Sequence, residues 1–379
     1  MLEYEVIMKT KVRYLTDPVK EDLKKKMVFI GGPRQVGKTT FSKSLSDSYA
    51  YLNWDEVTHR EMILKNQIPA DKLIILDEIH KYKLWRNWIK GKFDLLHEDH
   101  QFLVTGSARL DLYRFGGDSL QGRYFYYRLH PFTVGELKIT TKSQFLDLLS
   151  LSGFPEPFLS GNEKDYKRWS KDYRSRLVRD DISTLERIDD IGSLELLMMR
   201  LPDLVGSPLS INSLREDLQK SFKAVARWID ILERTYGIFR IPPFGGPKIK
   251  AVKKEQKHYH YDWSLPSEMA QRLENLVAGH LLKYCHYYED TEGDSYELRF
   301  FKDSENREVD FVVIKNRKPL YFIEVKTSGR EISPHLIYLK RKYPDVKSYQ
   351  LHMDEKIDYI GTEGIRSIPV WKFLIELGI

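Results

Sequence analysis

The stretch MVFIGGPRQVGKTT, residues 27–40, sets the architecture of the N-terminal part of the chain. A short apolar run leads into Gly32, the next residues satisfy the pattern G-x-x-x-x-G-K-[S/T], and FSKSLSDSYA continues as a helix would. Glycine lets the backbone wrap closely around an anion, and the N–H groups that follow point at it. The stretch therefore predicts a phosphate-binding loop between a strand and a helix.

The side chains of this loop have distinct expected tasks on a nucleoside triphosphate. Lys38 is expected to reach the β- and γ-phosphates, and the Thr39 hydroxyl is expected to take a position on Mg²⁺. Arg34 could meet a phosphate or a solvent-facing acid. The predicted cofactors are ATP and Mg²⁺, and the predicted ATP-binding residues are Gly32, Pro33, Arg34, Gln35, Val36, Gly37, Lys38, Thr39 and Thr40.

Four further short runs of β-branched and aromatic residues follow in the first third of the chain. They are YAYLNW, KLIILDE, QFLVTGS and RYFYYRL, and longer helix-like segments separate them. This alternation is typical of a parallel sheet with crossover helices. It predicts an α/β core over residues 1–130.

Two acids, Asp77 and Glu78, directly follow the apolar part of KLIILDE. They are expected at the C-terminal end of a buried strand beside the phosphate loop. Asp77 suits the water shell of Mg²⁺, while Glu78 is placed to polarise the attacking water. Thr105, at the end of the next run, could contact the γ-phosphate or cap the following helix.

Four segments in a fixed order carry a family resemblance: GGPRQVGKTT, LIILDEIHKYKLWRNWIK, FLVTGSARLDL and SLQGRYFYYRLHPFTVGEL. The chain resembles the AAA-type ATPases that have a C-terminal DUF4143-like domain. The resemblance implies a Walker A motif at Gly32–Thr39, a Walker B motif at Asp77 and Glu78, and a sensor residue at Thr105. The predicted catalytic residues are Glu78, Lys38, Thr105 and Arg123.

An arginine that senses the γ-phosphate is a further implication, because AAA-type sites usually lie between subunits. Arg123, in the segment QGRYFYYRLHPF, is the first candidate, and Arg109 or Arg114 are the next. The alternative interpretation makes Arg123 a cation that holds the fold together. The resemblance thus predicts a homo-oligomer, with a hexamer as the expected form.

From residue 131 the alternation gives way to helical periodicity, and residues 131–200 resemble the helical lid of the family. Within residues 201–262, SINSLREDL and KAVARWIDILERTYG predict two helices joined by a tight turn, the second one closed by Gly237. A hairpin that begins at IFRI follows. Two helices and a hairpin predict a winged helix-turn-helix.

Basic residues of the second helix and of the loop KIKAVKKEQK favour contact with the phosphates of DNA. A solvated wing whose lysines confer solubility and a protein-binding module are the alternatives. The predicted DNA-binding residues are Lys220, Lys223, Arg227, Lys248, Lys250, Lys253, Lys254 and Lys257.

Residues 263–379 contain two apolar runs, EVDFVVI and LYFIEVK, that are typical of paired strands joined by a turn. Glu324 and Lys326 share one face of the second strand, and Asp310 on the first can meet Glu324. Two neighbouring carboxylates can hold Mg²⁺, and a lysine beside them can help to activate a bound water. The pattern resembles PD-(D/E)xK nucleases, with Glu274 as the acid of the preceding helix.

This second site has two alternative interpretations. The trio Asp310, Glu324 and Lys326 could be a salt-bridged strand pair, or the domain could keep a nuclease fold that binds DNA without cutting it. Glu308 has no assigned role. Asp310 and Glu324 are the predicted ligands of a second metal ion.

Composition and charge limit the class of protein. A length of 379 residues predicts several domains, and a net charge of +6 is too weak by itself to identify a nucleic-acid partner. The single cysteine, Cys285, excludes a disulfide framework and a cysteine-based metal cluster. No apolar stretch reaches the length of a membrane span, and the start MLEYEVIMKTKVRYL lacks the apolar region of a signal peptide. A cytoplasmic protein without a membrane partner is therefore expected.

The prediction is an α/β protein with four parts. These are a P-loop NTPase core of the AAA type (1–130), a helical lid (131–200), a winged helix-turn-helix (201–262) and an α/β PD-(D/E)xK nuclease-like domain (263–379). The expected function is a Mg²⁺-dependent ATPase that binds and remodels DNA through conformational change, with branched DNA as one candidate and endonuclease activity left open. One alternative is a signalling or regulatory switch whose appended domains bind protein partners. The other is a nucleic-acid-binding module whose ATP site sets its oligomeric state.

Overall fold

The computed structural model describes residues 13–106, 120–182, 190–245 and 256–378. The chain divides into two compact units. The first runs to Pro131 and includes Arg234–Tyr236, and the second comprises Phe132–Glu233 and the residues from Gly237 onward.

A five-stranded sheet forms the centre of the first unit. Its strands are β1 Met27–Gly31, β2 Tyr49–Asn53, β3 Leu73–Asp77, β4 Gln101–Thr105 and β5 Tyr124–Arg128. They lie in the order β2-β3-β4-β1-β5, and every neighbouring pair is parallel. Each strand coincides with one of the five apolar runs, so the predicted parallel sheet is confirmed.

Burial on both faces explains why two of these strands are continuous apolar runs. All five residues of β1 and all five of β3 are buried, which is typical of parallel strands covered by helices. Ile74, Leu76 and Phe102 form one core cluster with Trp85 and Ile89. The described helices of this unit are α1 Thr16–Leu23, α2 Lys38–Lys43, α3 Val57–Leu64 and α4 Trp85–Leu96, with a 3₁₀ turn at Ile79–Lys81.

The carboxyl ends of the parallel strands meet at one edge of the sheet. The phosphate loop leaves β1 at this edge, Asp77 ends β3, and Thr105 ends β4. Asp77 lies directly opposite Thr105 in the register of β3 and β4. The strand order therefore brings together residues that lie far apart in the sequence.

The residues that follow Phe132 are mainly helical, as the periodicity predicted. Side-chain caps define where some of these helices begin: Thr141 accepts a hydrogen bond from the N–H of Gln144, and Asn162 accepts one from the N–H of Asp165. The helices are α5 Val134–Leu137, α6 Lys142–Leu151, α7 Pro155–Ser160, α8 Glu163–Arg176 and α9 Ile191–Arg200, with a π turn at Leu177–Ile182 and a 3₁₀ turn at Leu201–Leu204.

Two helices and a strand pair come next, in the predicted order. They are α10 Ile211–Asp217, α11 Phe222–Arg234, β6 Ile238–Ile241 and β7 Lys257–His260, and the two strands are antiparallel. The winged-helix assignment of this order stays a prediction.

Gly237 closes α11 through its N–H, which donates to the carbonyl of Leu232 at 2.8 Å, but it does not supply the left-handed residue. Tyr236, with φ 61°, takes the left-handed conformation after α11, and Gly237 is not among the residues with positive φ. A Cβ atom at Gly237 would lie 3.0 Å from Leu177 Cδ2. Close packing, and not backbone freedom, accounts for the glycine at this position.

A six-stranded mixed sheet completes the second unit. Its strands are β8 Tyr296–Lys302, β9 Glu308–Lys315, β10 Lys318–Val325, β11 Lys347–His352, β12 Tyr359–Ile360 and β13 Arg366–Pro369, in the order β12-β13-β11-β10-β9-β8. β9 and β10 are antiparallel neighbours, so the predicted strand pair is confirmed. Asn316 and Arg317, with φ 48° and 69°, form their turn, in keeping with a type I′ hairpin. The helices of this part are α12 Met269–Glu292, α13 Pro334–Lys342 and α14 Val370–Glu376.

Helix α12, at 24 residues, is long but carries charged residues along its length. Among the described residues, no helix combines the length and the apolar composition that a membrane span requires.

Candidate functional site

The phosphate loop has the backbone conformation that its glycines allow. Gly32 has φ 137° and Gly37 has φ 94°, values that L side chains rarely adopt. A Cβ atom on Gly32 would lie 2.3 Å from the carbonyl oxygen of Leu129, which no side chain could tolerate. Glycine is therefore required at Gly32 both for its backbone angle and for the close approach of β5.

Lys38 and Arg13 fix the shape of this loop through hydrogen bonds to its carbonyl groups. The Nζ atom of Lys38 donates hydrogen bonds to the carbonyl oxygens of Gly32 at 2.9 Å and Pro33 at 2.7 Å. The buried Arg13 donates to the carbonyl of Val36 at 3.2 Å and to that of His130 at 2.5 Å. The carbonyl groups of the loop are thus fixed by two cationic side chains.

Asp77 is the acceptor for three hydroxyl groups from three different elements. Thr39 of α2 donates to its Oδ2 atom at 2.8 Å, and Tyr51 of β2 donates to the same oxygen at 2.7 Å. Thr105 of β4 donates to Oδ1 at 2.6 Å. The carboxylate is therefore held in one orientation by the phosphate-loop helix and both neighbouring strands.

The pair Thr39 and Asp77 fits the predicted Mg²⁺ position. A hydroxyl and a carboxylate oxygen 2.8 Å apart are hard ligands, which Mg²⁺ prefers in addition to water and phosphate oxygens. P-loop sites need few protein ligands, because the nucleotide and water supply the others. Thr39 and Asp77 would hold the ion here.

Glu78 adopts a strained backbone conformation next to Asp77. Its φ of 56° lies in the left-handed region, which is unfavourable for glutamate, and its N–H donates to the carbonyl of Thr105 at 3.0 Å. Its carboxylate lies 3.2 Å from the Nζ atom of Lys81. Burial raises the pKa of the Glu78 carboxyl, Lys81 opposes that change, and the charge of Asp77 adds to it. A raised pKa makes a carboxylate a better proton acceptor.

The predicted sensor Thr105 is fully buried, and its hydroxyl donates to Asp77. This hydrogen bond orients Asp77. Residues 107–119, where the helix that Thr105 could cap was expected, lie outside the described residues, so the capping alternative stays a prediction. A contact between Thr105 and the γ-phosphate stays a prediction.

Arg123, the first candidate for the γ-phosphate-sensing arginine, lies away from the phosphate loop of its own subunit. Its carbonyl accepts a hydrogen bond from the N–H of Met27, at the start of β1 and thus at the opposite edge of the sheet. A five-residue strand, about 15 Å long, separates it from the phosphate loop. Its guanidinium contacts both carboxylate oxygens of Asp94, at 2.7 and 3.2 Å. This ion pair fits the alternative interpretation of Arg123, a cation that holds the fold together, and a contact with the γ-phosphate of a neighbouring subunit stays a prediction. Arg109 and Arg114 lie outside the described residues.

Three residues of this site were not predicted from the sequence. Tyr51 contacts Asp77, Arg13 supports the phosphate loop, and Lys81 bridges Glu78 and Asp55. The ion pair of Lys81 could have been predicted, because Lys81 follows Glu78 by three residues. The position of Tyr51 could also have been predicted. It lies two positions before Asn53 and so on the same face of β2, and Asn53 lies opposite Asp77 in the register of β2 and β3.

The C-terminal acids also come together. Asp310 of β9 and Glu324 of β10 are cross-strand neighbours, with the N–H of Asp310 3.4 Å from Glu324 Oε2. Lys326 lies 2.7 Å from Glu324 Oε1, as their shared strand face predicted. Glu274 reaches the same cluster from α12, where Tyr259 donates to its Oε1 atom at 2.7 Å.

Lys257 lies in the middle of these acids, so its predicted contact with DNA is wrong. Its side chain is 1% exposed, and its Nζ atom lies 2.6 Å from Glu308, 3.4 Å from Glu274 and 3.5 Å from Asp310. The residue belongs to strand β7, whose four residues are all buried. Glu308, to which the sequence assigned no role, is the nearest partner of Lys257.

The charges in this cluster change the acidity of its members. Burial raises the pKa of Glu274 to about 7, and the charge of Asp310 adds to the shift. The pKa of Glu324 rises to about 7 for the same two reasons. Burial on its own would lower the pKa of Lys257, but Glu274, Asp310 and Glu308 more than reverse the effect. Lys257 is therefore a permanent cation in the cluster.

As folded, this cluster does not fit a divalent metal ion. Within the described ranges, no group of three or more His, Cys, Asp or Glu side chains is arranged to hold one. Asp310 Oδ2 accepts a hydrogen bond from the N–H of Val325 at 2.9 Å, and Asp310 Oδ1 faces Lys257. Each of the two predicted metal ligands therefore faces an ammonium group, Asp310 that of Lys257 and Glu324 that of Lys326.

The remaining predicted DNA-binding residues divide into three sets. Lys223 and Arg227 are exposed and four residues apart on α11, so they share one face of that helix. Lys220 forms an ion pair with Asp190 at 2.8 Å. Outside the described residues lie Lys248, Lys250, Lys253 and Lys254.

Three family models match this chain. A model described as an AAA domain, AAA_14, matches residues 24–138. A domain of unknown function, DUF8612, matches residues 142–275, and another, DUF4143, matches residues 271–373. The boundary between the first two lies close to the end of the first unit at Pro131.

Among similar proteins, the uncharacterized protein MJ1637 of Methanocaldococcus jannaschii is 21% identical, over 96% of this chain and 88% of its own length. The uncharacterized protein Rv2008c of Mycobacterium tuberculosis is 24% identical over 63% of this chain, which spans 55% of that relative. A solved structure of RuvB from Thermotoga maritima matches with 16% identity and a TM-score of 0.27, over 60% of this chain and 87% of that one.

The AAA_14 match contains the phosphate loop, the acids that end β3, and Thr105. The DUF4143 match contains all four acids and the exposed lysine of the second cluster, namely Glu274, Glu308, Asp310, Glu324 and Lys326. The chain thus carries an AAA domain of the AAA_14 family in residues 24–138 and a DUF4143 domain in residues 271–373.

Proposed function

We propose that this protein is a Mg²⁺-dependent ATPase. The observation that carries the proposal is the hydrogen-bonded set around Asp77, in which Thr39 and Thr105 orient the carboxylate directly before Glu78. The metal ligand Asp77, the loop lysine Lys38 and the proton acceptor Glu78 then lie at one edge of the sheet. This combination is what hydrolysis of a nucleoside triphosphate requires.

The chain's residues would act in a defined sequence. Lys38 exchanges its contacts with the carbonyls of Gly32 and Pro33 for phosphate oxygens. Mg²⁺, when bound, neutralises charge on the β- and γ-phosphates. Glu78 orients the attacking water and accepts its proton, and its raised pKa favours that transfer. The test is phosphate release from ATP by the purified chain in Mg²⁺, with a parallel sample in EDTA that is expected to be inactive.

We further propose DNA as the partner of the second unit. The support is the order of α10, α11 and the β6–β7 pair, together with the exposed cations Lys223 and Arg227. The buried face of α11 packs against its own unit through Val225, Trp228 and Ile229, so the basic face is the one that faces solvent. Cleavage of DNA is not part of the proposal, because Lys257 neutralises the acids that cleavage would use.

The salt dependence of binding tests the DNA proposal. Replacing both Lys223 and Arg227 by alanine should reduce the slope of log K against log salt by about two, since each phosphate contact contributes about 0.9. The matched control is Lys167→Ala with Lys171→Ala, two exposed lysines of α8. Fluorescence anisotropy with linear and branched duplexes measures the slope. An unchanged slope in the α11 variant would favour the alternative, a regulatory switch that binds protein partners.

We also propose a homo-oligomer, with a hexamer as the expected form. The support is the AAA domain itself, in which a neighbour's arginine can complete the ATP site. Mass photometry should show ATP shifting the chain to a larger assembly, and Arg123→Ala should lower turnover without loss of ATP binding. A monomer at every concentration, with ATP and DNA present, contradicts this part.

A further inference from the structure

The Lys257 ammonium is surrounded by carboxylates from two elements of the second unit. Glu274 belongs to α12, and Glu308 and Asp310 belong to β9, while Lys257 itself belongs to β7. The distances from Nζ are 2.6 Å to Glu308, 3.4 Å to Glu274 and 3.5 Å to Asp310. The side chain of Lys257 is 1% exposed, so water contributes little to its solvation. These acids are therefore its main stabilising partners.

We infer that Lys257 is the resident cation of this acid cluster and takes the place that a divalent metal ion occupies in a PD-(D/E)xK centre. The C-terminal domain of this chain is then a metal-independent domain. The inference does not depend on ATP hydrolysis, because none of its residues belongs to the phosphate loop.

The hydrogen bonds of the two predicted metal ligands support this inference. Asp310 Oδ2 accepts a hydrogen bond from the N–H of Val325, and Asp310 Oδ1 faces the ammonium of Lys257. Glu324 accepts from Lys326 at one oxygen and lies against the N–H of Asp310 at the other. Mg²⁺ demands near-octahedral oxygen ligands at about 2.1 Å, so it would have to share these oxygens with their present donors or displace them.

Electrostatics favour the same conclusion. A divalent ion bound to Asp310 at about 2.1 Å would lie within roughly 6 Å of the Lys257 ammonium. Like charges at that separation repel strongly where water is scarce. The buried ammonium cannot move away into solvent, because its strand is covered along its whole length. Lys257 would therefore compete with a divalent ion for Asp310.

The same contacts give Lys257 a structural task. Lys257 connects β7 to α12 through Glu274 and to β9 through Glu308 and Asp310. Removing one partner of a buried ion pair leaves the other charges without compensation, which is strongly destabilising. Lys257 thus joins three elements without a metal ion.

Binding of Mn²⁺ to the nucleotide-free full chain tests the inference. Isothermal titration and electron paramagnetic resonance would compare the wild type with Asp310→Asn. We expect identical isotherms, because the cluster takes up no Mn²⁺ in either protein. A stoichiometric Mn²⁺ site that the wild type has and Asp310→Asn lacks would overturn the inference.

A gain-of-binding variant provides the second readout. Lys257→Met removes the ammonium and keeps a side chain of similar length, so Mn²⁺ binding should tighten by at least about tenfold. The thermal stability of Lys257→Met should be lower than that of the wild type and should recover when Mn²⁺ is added. A Lys257→Met chain that folds only in the presence of Mn²⁺ would support the inference equally. Lys302→Met is the matched control, since Lys302 contacts Glu308 at 3.2 Å but is 37% exposed. Wild-type stability and wild-type Mn²⁺ binding in Lys257→Met would contradict the inference.

Discussion

Glu78→Gln is expected to bind ATP as the wild type does and to lose turnover by about two to four orders of magnitude. Lys38, Thr39 and Asp77 all remain in place, so the contacts that hold the nucleotide are kept. Glutamine cannot accept the proton of the attacking water, although its shape is almost the same. The loss should therefore appear in kcat and leave the Kd of ATP unchanged.

A coupled phosphate-release assay and fluorescence titration with a labelled nucleotide measure the two quantities for Glu78→Gln. Glu61→Gln is the control, because Glu61 is an exposed acid of α3 that pairs only with Lys65 among the ion pairs of the described residues. Turnover at the wild-type rate in Glu78→Gln would show that another group activates the water.

Lys38→Ala is expected to weaken ATP binding itself, by roughly ten- to a hundredfold. The Lys38 ammonium lies 2.9 Å from the Gly32 carbonyl and 2.7 Å from the Pro33 carbonyl, at the mouth of the phosphate loop. Charge-assisted hydrogen bonds to phosphate are among the strongest polar contacts, and alanine removes them all.

Isothermal titration with ATP and Mg²⁺ measures this effect. The matched control is Lys65→Ala, an exposed lysine of α3 that contacts Glu61 at 2.9 Å. If Lys38→Ala bound ATP with the affinity of the wild type, the phosphate loop would not be part of the nucleotide site.

The five strands of the first unit were predictable because their signals are local. Each is a short apolar run, and in β1 and β3 full burial between helices removes the polar alternation that an exposed strand shows. The meeting of Thr39, Asp77 and Thr105 was also predictable, since parallel strands place their carboxyl ends at one edge. The hydrogen bonds among them required the structure.

The sequence was least informative about residues whose contacts lie in distant parts of the chain. Arg123 lies directly before β5, and sequence alone did not show that Asp94 would pair with its guanidinium. Lys257 looked like one lysine in a basic run, but it is the one that enters strand β7. Its partners Glu308 and Asp310 follow about 50 residues later, a separation that no local pattern reports.

The conversion of enzyme-bound ATP in a single turnover tests the central claim most directly. The purified chain, in excess over γ-labelled ATP, would be mixed with Mg²⁺ and quenched over time. We predict that the wild type converts bound ATP to ADP and phosphate, that Glu78→Gln holds ATP intact, and that EDTA abolishes conversion in the wild type. A wild type that binds ATP with Mg²⁺ and releases no phosphate, either alone or with DNA present, would contradict the assignment of this site as an ATPase centre.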